Sequence, residues 1–196
     1  MAGRTLATRV AALHAAGIRL IEIALSDPAA LPLVADLRRH APPDMFVGAG
    51  TVTSADLAAA AVDAGAGFLV TPHVAPDVIT YALDHDLGLL TGALTPTEIA
   101  LARREGSQFI KLFPAAAMGP GYVRALLGPY PDLELVVVGG IGSHNLDAYL
   151  EAGAIGAGVG GSLASATDTG DFSEAVTEAQ RLVAAFGMGG REGART

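Results

Sequence analysis

Two residues are set apart by the company they keep. Lys111 lies in the apolar run Phe109-Ile110-Lys111-Leu112-Phe113, and it is the single lysine of a chain that otherwise carries eleven arginines. Turned inward, such a lysine is desolvated, its pKa falls and a nucleophilic amine is freed. A neutral amine can attack a ketone and form a Schiff base; arginine cannot. The plainer alternative is a strand-end lysine that carries its ammonium out to water. Glu22 sits in Leu20-Ile21-Glu22-Ile23-Ala24. A carboxylate in mid-strand is costly unless it is paired or hydrogen-bonded. In an enclosed interior its pKa rises toward a general acid–base role; pairing with an arginine is the alternative. The two residues strengthen each other, because an imine mechanism needs a proton shuttle.

Glycine-rich stretches form the second group. Gly48-Ala49-Gly50-Thr51 offers backbone N–H groups and a hydroxyl, or simply a strand-to-helix turn. Gly139-Gly140 and Gly160-Gly161-Ser162 follow the last two apolar runs. Glycines let the backbone approach an anion, and in barrels this pair of loops is a frequent phosphate site. His73, after Thr71-Pro72, is either a mouth residue or an ordinary loop histidine. The five histidines show no metal-ligand spacing, so no metal site is expected. No P-loop or dinucleotide fingerprint is present, so no cofactor is expected.

These residues must be positioned by short apolar runs at 18–25, 46–50, 67–71, 88–92, 108–113, 133–139 and 155–160. Their starts are 28, 21, 21, 20, 25 and 22 residues apart, one βα unit per step. The runs are too continuously apolar for a one-faced antiparallel sheet. Ala/Leu-rich helical stretches lie between them. Ser54 caps one helix, Pro76, Pro96 and Pro120 suit first turns, Ser143 or Asn145 caps another, and the last runs from about 171 to 186. The even spacing favours a (β/α)8 TIM barrel, with a doubly wound open sheet as the alternative. Only seven strands are legible, so the first strand is expected to be missing or truncated, ahead of a helix over residues 5–16. One domain is expected over residues 1–186, followed by a flexible Gly/Arg-rich tail at 187–196.

Composition narrows the partners. The net charge of −8 and the lack of a basic face argue against nucleic acid. No run is long and apolar enough for a membrane helix. The absence of cysteine removes disulfides, thiolate metal sites and cysteine nucleophiles. With no signal-peptide pattern at the start, a cytoplasmic location is expected.

In this order and spacing, the stretches Gly17-Ile18-Arg19-Leu20-Ile21-Glu22-Ile23, Val47-Gly48-Ala49-Gly50-Thr51-Val52, Val70-Thr71-Pro72-His73, Leu90-Thr91-Gly92, Ile110-Lys111-Leu112-Phe113-Pro114-Ala115, Gly139-Gly140-Ile141 and Gly160-Gly161-Ser162 are matched by a known family. The chain resembles the 2-keto-3-deoxy-6-phosphogluconate (KDPG) / 4-hydroxy-2-oxoglutarate (KHG) aldolases, class I pyruvate lyases. The resemblance implies a (β/α)8 barrel, usually a homotrimer, that cleaves a 2-keto-3-deoxy sugar acid to pyruvate and an aldehyde. It implies that Lys111 forms the Schiff base and that Glu22 moves protons through a water. Thr51 would hold the pyruvyl carboxylate, and Pro72 and Phe113 would pack the substrate. Gly140, Gly160, Gly161 and Ser162 would hold the phosphate or distal polar end.

The chain departs from the family pattern at two points: the family has a strand and a short helix before the point where this chain begins, which matches the missing strand, and the segment after Glu22 differs. Where the family commonly carries Glu-x-Thr-Leu-Arg-Thr, this chain reads Glu22-Ile23-Ala24-Leu25-Ser26-Asp27. A bidentate arginine contact to the substrate carboxylate is lost and an anion is added. Losing such a charged hydrogen bond costs roughly 1.5–3 kcal/mol, on the order of tenfold to a hundredfold in binding. Two further readings therefore stand beside the aldolase: a family member with altered or lost aldolase activity, and a non-enzymatic sugar-phosphate-binding barrel.

Overall fold

The computed structural model describes residues 2–161, 163 and 172–189. Helix α1 (Ala2–Ala15) leads into β1 (Leu20–Ala24), and a 3-10 turn (Pro28–Ala30) into α2 (Leu31–His40). There follow β2 (Phe46–Gly50), α3 (Ala55–Asp63), β3 (Phe68–Val70), α4 (Pro76–Asp84), β4 (Gly88–Ala93) and α5 (Pro96–Arg104). The second half comprises β5 (Phe109–Leu112), α6 (Ala115–Met118), α7 (Pro120–Leu127), β6 (Glu134–Val138), α8 (Leu146–Glu151), β7 (Gly156–Gly158) and α9 (Ser173–Gly189). All seven expected runs form strands, and Pro76, Pro96 and Pro120 lie in first turns. Ser54 Oγ accepts the amide of Leu57 at 3.2 Å, as its N-cap position predicts.

The strands are parallel and pair in consecutive order from β1 to β7. A doubly wound sheet has a point where the strand order reverses; this sheet has none, and its order is that of a curled barrel wall. Among the described residues no pairing joins β7 back to β1. The last helix runs three residues beyond the expected end, through Gly187 to Gly189, and begins at Ser173. Residues 190–196 of the expected tail lie outside the described residues, as does Ser162.

Strand parity assigns every side chain to one of two faces. Ile110 and Leu112 of β5, Leu135 and Val137 of β6, and Val47, Ala49 and Leu69 of β2 and β3 are fully buried or nearly so. They pack outward against the helices, on Ile99, Val123, Leu126 and Leu146 in one half and on Val34, Leu37 and Val78 in the other. Each large side chain buried this way contributes about 1.5–3 kcal/mol. That commitment fixes the register, because a one-residue slip would turn every one of them to the opposite face. It also leaves Glu22, Gly48, Gly50, Gly92, Lys111 and Val136 on the inner face. The pairings Glu22 with Gly48, Gly92 with Lys111, and Lys111 with Val136 place these in adjacent rows.

Candidate active site

Ile110 and Leu112 must face the helices, so Lys111 between them must face inward. The residue is buried, 7% exposed, and its ammonium nitrogen lies 5.2 Å from the centre of the Phe113 ring. Burial pushes the lysine below its ordinary pKa, with the Glu22 charge acting in the opposite direction. The Glu22 carboxyl is pushed above its ordinary range, again chiefly by burial, with the Lys111 charge opposing. Residue Glu22 is exposed as a whole because β1 is an edge strand; its carboxyl end is the part that lies against protein. A methyl group on Gly50 would stand 2.7 Å from its Oε2 and 2.8 Å from its Cδ, so the absence of a side chain at Gly50 is what admits the carboxyl. The result is an amine and a carboxyl whose pKa values approach each other, the arrangement needed for a nucleophile and a proton carrier near neutral pH.

Thr51 follows directly, at φ +58°. A β-branched residue in the left-handed region is strained, at a cost of about 1–3 kcal/mol. The threonine is kept there despite that cost, at the end of the strand that seats Glu22.

Pro72 is brought to the lysine by a second close approach. A Cβ on Gly92 would stand 2.3 Å from the Pro72 carbonyl carbon, and Gly92 pairs with Lys111. Thr71, fully buried, secures this contact. Its Oγ1 accepts the Gly92 amide at 3.0 Å and donates to the His73 carbonyl at 2.7 Å. His73 itself is exposed, and its charge bears on Glu98 at the start of α5. Phe113 reaches the next strand end: a Cβ on Gly139 would stand 2.9 Å from its ring. The segment after β5 is anchored from below, where the hydroxyl of buried Tyr149 donates to the Ala115 carbonyl at 3.1 Å.

Lys111, Thr51, Pro72, Phe113, Gly139 and Gly140 thus lie at or just beyond the C-terminal ends of β2, β3, β5 and β6, with Glu22 in the middle of β1. Gly160 and Gly161 follow β7 and are open, with nothing within 4 Å of where a side chain would begin. Sequence reasoning assigned no role to Thr71 or to the inner-face openings at Gly50 and Gly92. The signal for Thr71 is a polar residue at the end of an otherwise apolar strand, and for the glycines their position opposite bulky inner-face neighbours. Among the described residues no group of three His, Asp or Glu side chains could hold a metal ion, and no helix is long and apolar enough to cross a membrane.

Fold and site together define an α/β protein with a curled sheet of seven parallel strands and a lysine–glutamate pair on its inner face. The chain belongs to the KDPG and KHG aldolase family, whose model matches residues 4–178. It is 39% identical over 140 residues to the 2-dehydro-3-deoxy-phosphogluconate aldolase of Pseudomonas aeruginosa, a match covering 71% of this chain and 63% of that protein. The match to this relative therefore spans less than two thirds of its length. The 2-dehydro-3-deoxy-6-phosphogalactonate aldolase of Escherichia coli is 34% identical over 158 residues, 79% of this chain and 76% of that protein. Among solved structures, native KDPGal superposes with a TM-score of 0.83 at 30% identity, covering 95% of this chain and 90% of that one. KDPG aldolase from Legionella pneumophila, with pyruvate captured as a covalent carbinolamine, superposes with a TM-score of 0.82 at 27% identity, covering 90% and 87%.

Because the chain holds one lysine, ε-13C-lysine labelling yields a single side-chain resonance. Its titration midpoint is expected below about 10.4, the value of a free lysine side chain. Glu22→Gln is expected to lower it further, because the glutamate charge supports the ammonium. A midpoint at or above the free value, or an upward move in Glu22→Gln, contradicts the coupling described here.

Proposed function

We propose that this protein is a class I aldolase that cleaves a 2-keto-3-deoxy sugar acid, 2-keto-3-deoxy-6-phosphogluconate in particular, to pyruvate and glyceraldehyde 3-phosphate. The observation that carries the reading is the buried, pKa-lowered Lys111 within electrostatic reach of the desolvated Glu22. Family membership and the pyruvate adduct seen in the Legionella pneumophila relative support it.

The neutral amine of Lys111 adds to the C2 ketone, and the carbinolamine hydroxyl takes a proton from the Glu22 carboxyl and leaves as water, giving a protonated imine and a Glu22 carboxylate, which regains the proton when the imine is finally hydrolysed. The C4 hydroxyl gives its proton to Glu22, directly or through a water, as the C3–C4 bond breaks. The bonding pair flows into the imine, leaving the enamine of pyruvate and releasing the aldehyde. Glu22 returns the proton to C3, and water then hydrolyses the imine to free pyruvate and Lys111. The imine is the electron sink, so the cycle needs no metal or cofactor. Thr51 holds the carboxylate end, and Pro72 and Phe113 form the walls. The distal phosphate lies at Gly139, Gly140, Gly160, Gly161 and Ser162.

A second reading, altered or lost aldolase activity, is favoured by the segment after β1. Asp27 Oδ1 accepts the Ala29 amide at 2.9 Å, capping the 3-10 turn, and Ser26 beside it is exposed. The carboxylate end of the substrate therefore has no arginine from this segment. The third reading, a sugar-phosphate-binding barrel without chemistry, uses the glycine loops alone.

We also propose that the sheet belongs to a (β/α)8 barrel whose eighth strand position lies between β7 and β1, in a single domain that includes α9 through Gly189. A homotrimer in the cytoplasm follows the family pattern, and a sedimentation mass near three times 19.7 kDa checks the trimer.

Pyruvate release, followed by coupled NADH oxidation, tests the activity. The wild type is expected to turn over 2-keto-3-deoxy-6-phosphogluconate. Lys111→Arg should keep the fold and lose turnover, and Glu22→Gln should lose about 10²–10⁴-fold in kcat. No release at millimolar substrate by well-folded wild type would replace the aldolase with the second reading. Sugar-phosphate binding that survives Lys111→Ala, with no turnover in the wild type, would select the third.

A further inference from the structure

The loop after β6 is gripped from two sides. On the side of β5, the Ala116 amide donates to the Gly139 carbonyl at 3.0 Å. Gly139 and Gly140 take φ of +91° and +73°, and a Cβ on Gly140 would stand 2.6 Å from the Ala116 methyl. This side is continuous with Phe113, and so with Lys111. On the other side, the Gly142 amide donates to Asn145 Oδ1 at 3.0 Å, and Asn145 Nδ2 donates to the Gly140 carbonyl at 2.9 Å. One residue beyond Gly142, the Ser143 amide and hydroxyl both donate to the Glu178 carboxylate of α9, at 2.8 and 2.6 Å.

Asn145 occupies the N-cap position of α8, where an asparagine ordinarily accepts an amide of the first helical turn. Here its side chain makes no such bond; both of its polar atoms are committed to the loop instead. The helix forgoes a cap and the loop gains a buckle. Among the described residues the amides of Gly140 and Ile141 donate to no protein acceptor, while the Gly139 and Gly140 carbonyls are occupied. The loop is thus left with donors to spare, at a distance from Lys111 that the two grips set.

We propose that Asn145 and Glu178 are positioning residues that fix the spacing between Lys111 and the Gly140–Ile141 amides, and so select keto-deoxy acids of the length that brings a phosphate monoester to those amides. The inference rests on the aldolase reading above and adds a specificity device to it. Neither residue touches the reacting atoms; both act through the loop.

The test compares wild type with Asn145→Ala on two substrates, 2-keto-3-deoxy-6-phosphogluconate and the shorter, unphosphorylated 4-hydroxy-2-oxoglutarate. Borohydride trapping of pyruvate supplies a third reading, the half-saturating pyruvate concentration. The expected result is a rise of about tenfold in KM for the phosphorylated acid, from two lost hydrogen bonds. The change in kcat should stay under about threefold, with KM for the short acid and pyruvate half-saturation unmoved. An unchanged KM, or an equal rise on both substrates or on pyruvate, overturns the proposal. Should Asn145→Ala fail to fold, Ser143→Ala removes only the hydroxyl donor to Glu178. It should show the same selective rise at about threefold, and an unselective or absent effect overturns the proposal equally. A wild type that forms no pyruvate adduct overturns both this inference and the aldolase reading. A wild type that labels and turns over beside unselective variants overturns this inference alone.

Discussion

The structure depends on one constraint: a lysine that the sheet obliges to face inward, with a carboxylate as its electrostatic partner. Ile110 and Leu112 are fully buried against the helices, and the two-residue period of the strand leaves Lys111 no other direction. A buried ammonium is costly, and the protein meets that cost by weakening the charge and by setting Glu22 across the interior. Stability and chemistry ask for different things here. A methionine in this place would suit the core better, and an arginine would keep its charge. Only lysine can shed a proton and bond to carbon, in a chain that uses arginine for every other fixed cation.

The inner face is built from alternating absence and bulk. Gly48 lies where a Cβ would stand 2.4 Å from the Phe68 ring, Gly50 makes room for Glu22, and Gly92 makes room for Pro72. Each glycine costs roughly 0.5–1 kcal/mol in a strand relative to alanine. Here the cost is offset by the seating of a neighbouring group. Thr71 completes the pattern: fully buried and satisfied both as donor and as acceptor, it holds the Pro72 turn against β4. The site is therefore assembled by backbone proximity between neighbouring strands, and its shape follows from where side chains are omitted.

Much of this was legible in the sequence. The spacing of the apolar runs gave seven βα units and their parallel order, because burial on both faces imposes continuous apolarity and a regular repeat. The direction of Lys111 stayed open in the sequence and is settled by the burial of Ile110 and Leu112 against the helices. Other features depend on contacts between distant segments and leave no local pattern. Asn145 has the residue type and position of an N-cap, yet its side chain serves Gly140 and Gly142. Glu178 lies on a helix face like any solvated glutamate until α9 is placed beside the β6 loop. The strained φ of Thr51 cannot be read from a threonine in a Gly-Thr-Val sequence. The last helix passes through Gly187 and Gly189, two residues with little helical preference, because Ala179, Leu182 and Ala185, all buried, have already committed it to packing against the rest of the protein.

The central claim is that the Lys111 amine bonds covalently to the keto carbon of the substrate, and covalent capture tests it most directly. Folded protein is incubated with pyruvate, reduced with borohydride, digested and mapped by mass spectrometry. The account predicts one reduced pyruvyl adduct per chain, on the peptide containing Lys111, lost in Lys111→Arg. An unmodified Lys111 in saturating pyruvate, or an adduct only at the N-terminal amine, would contradict it.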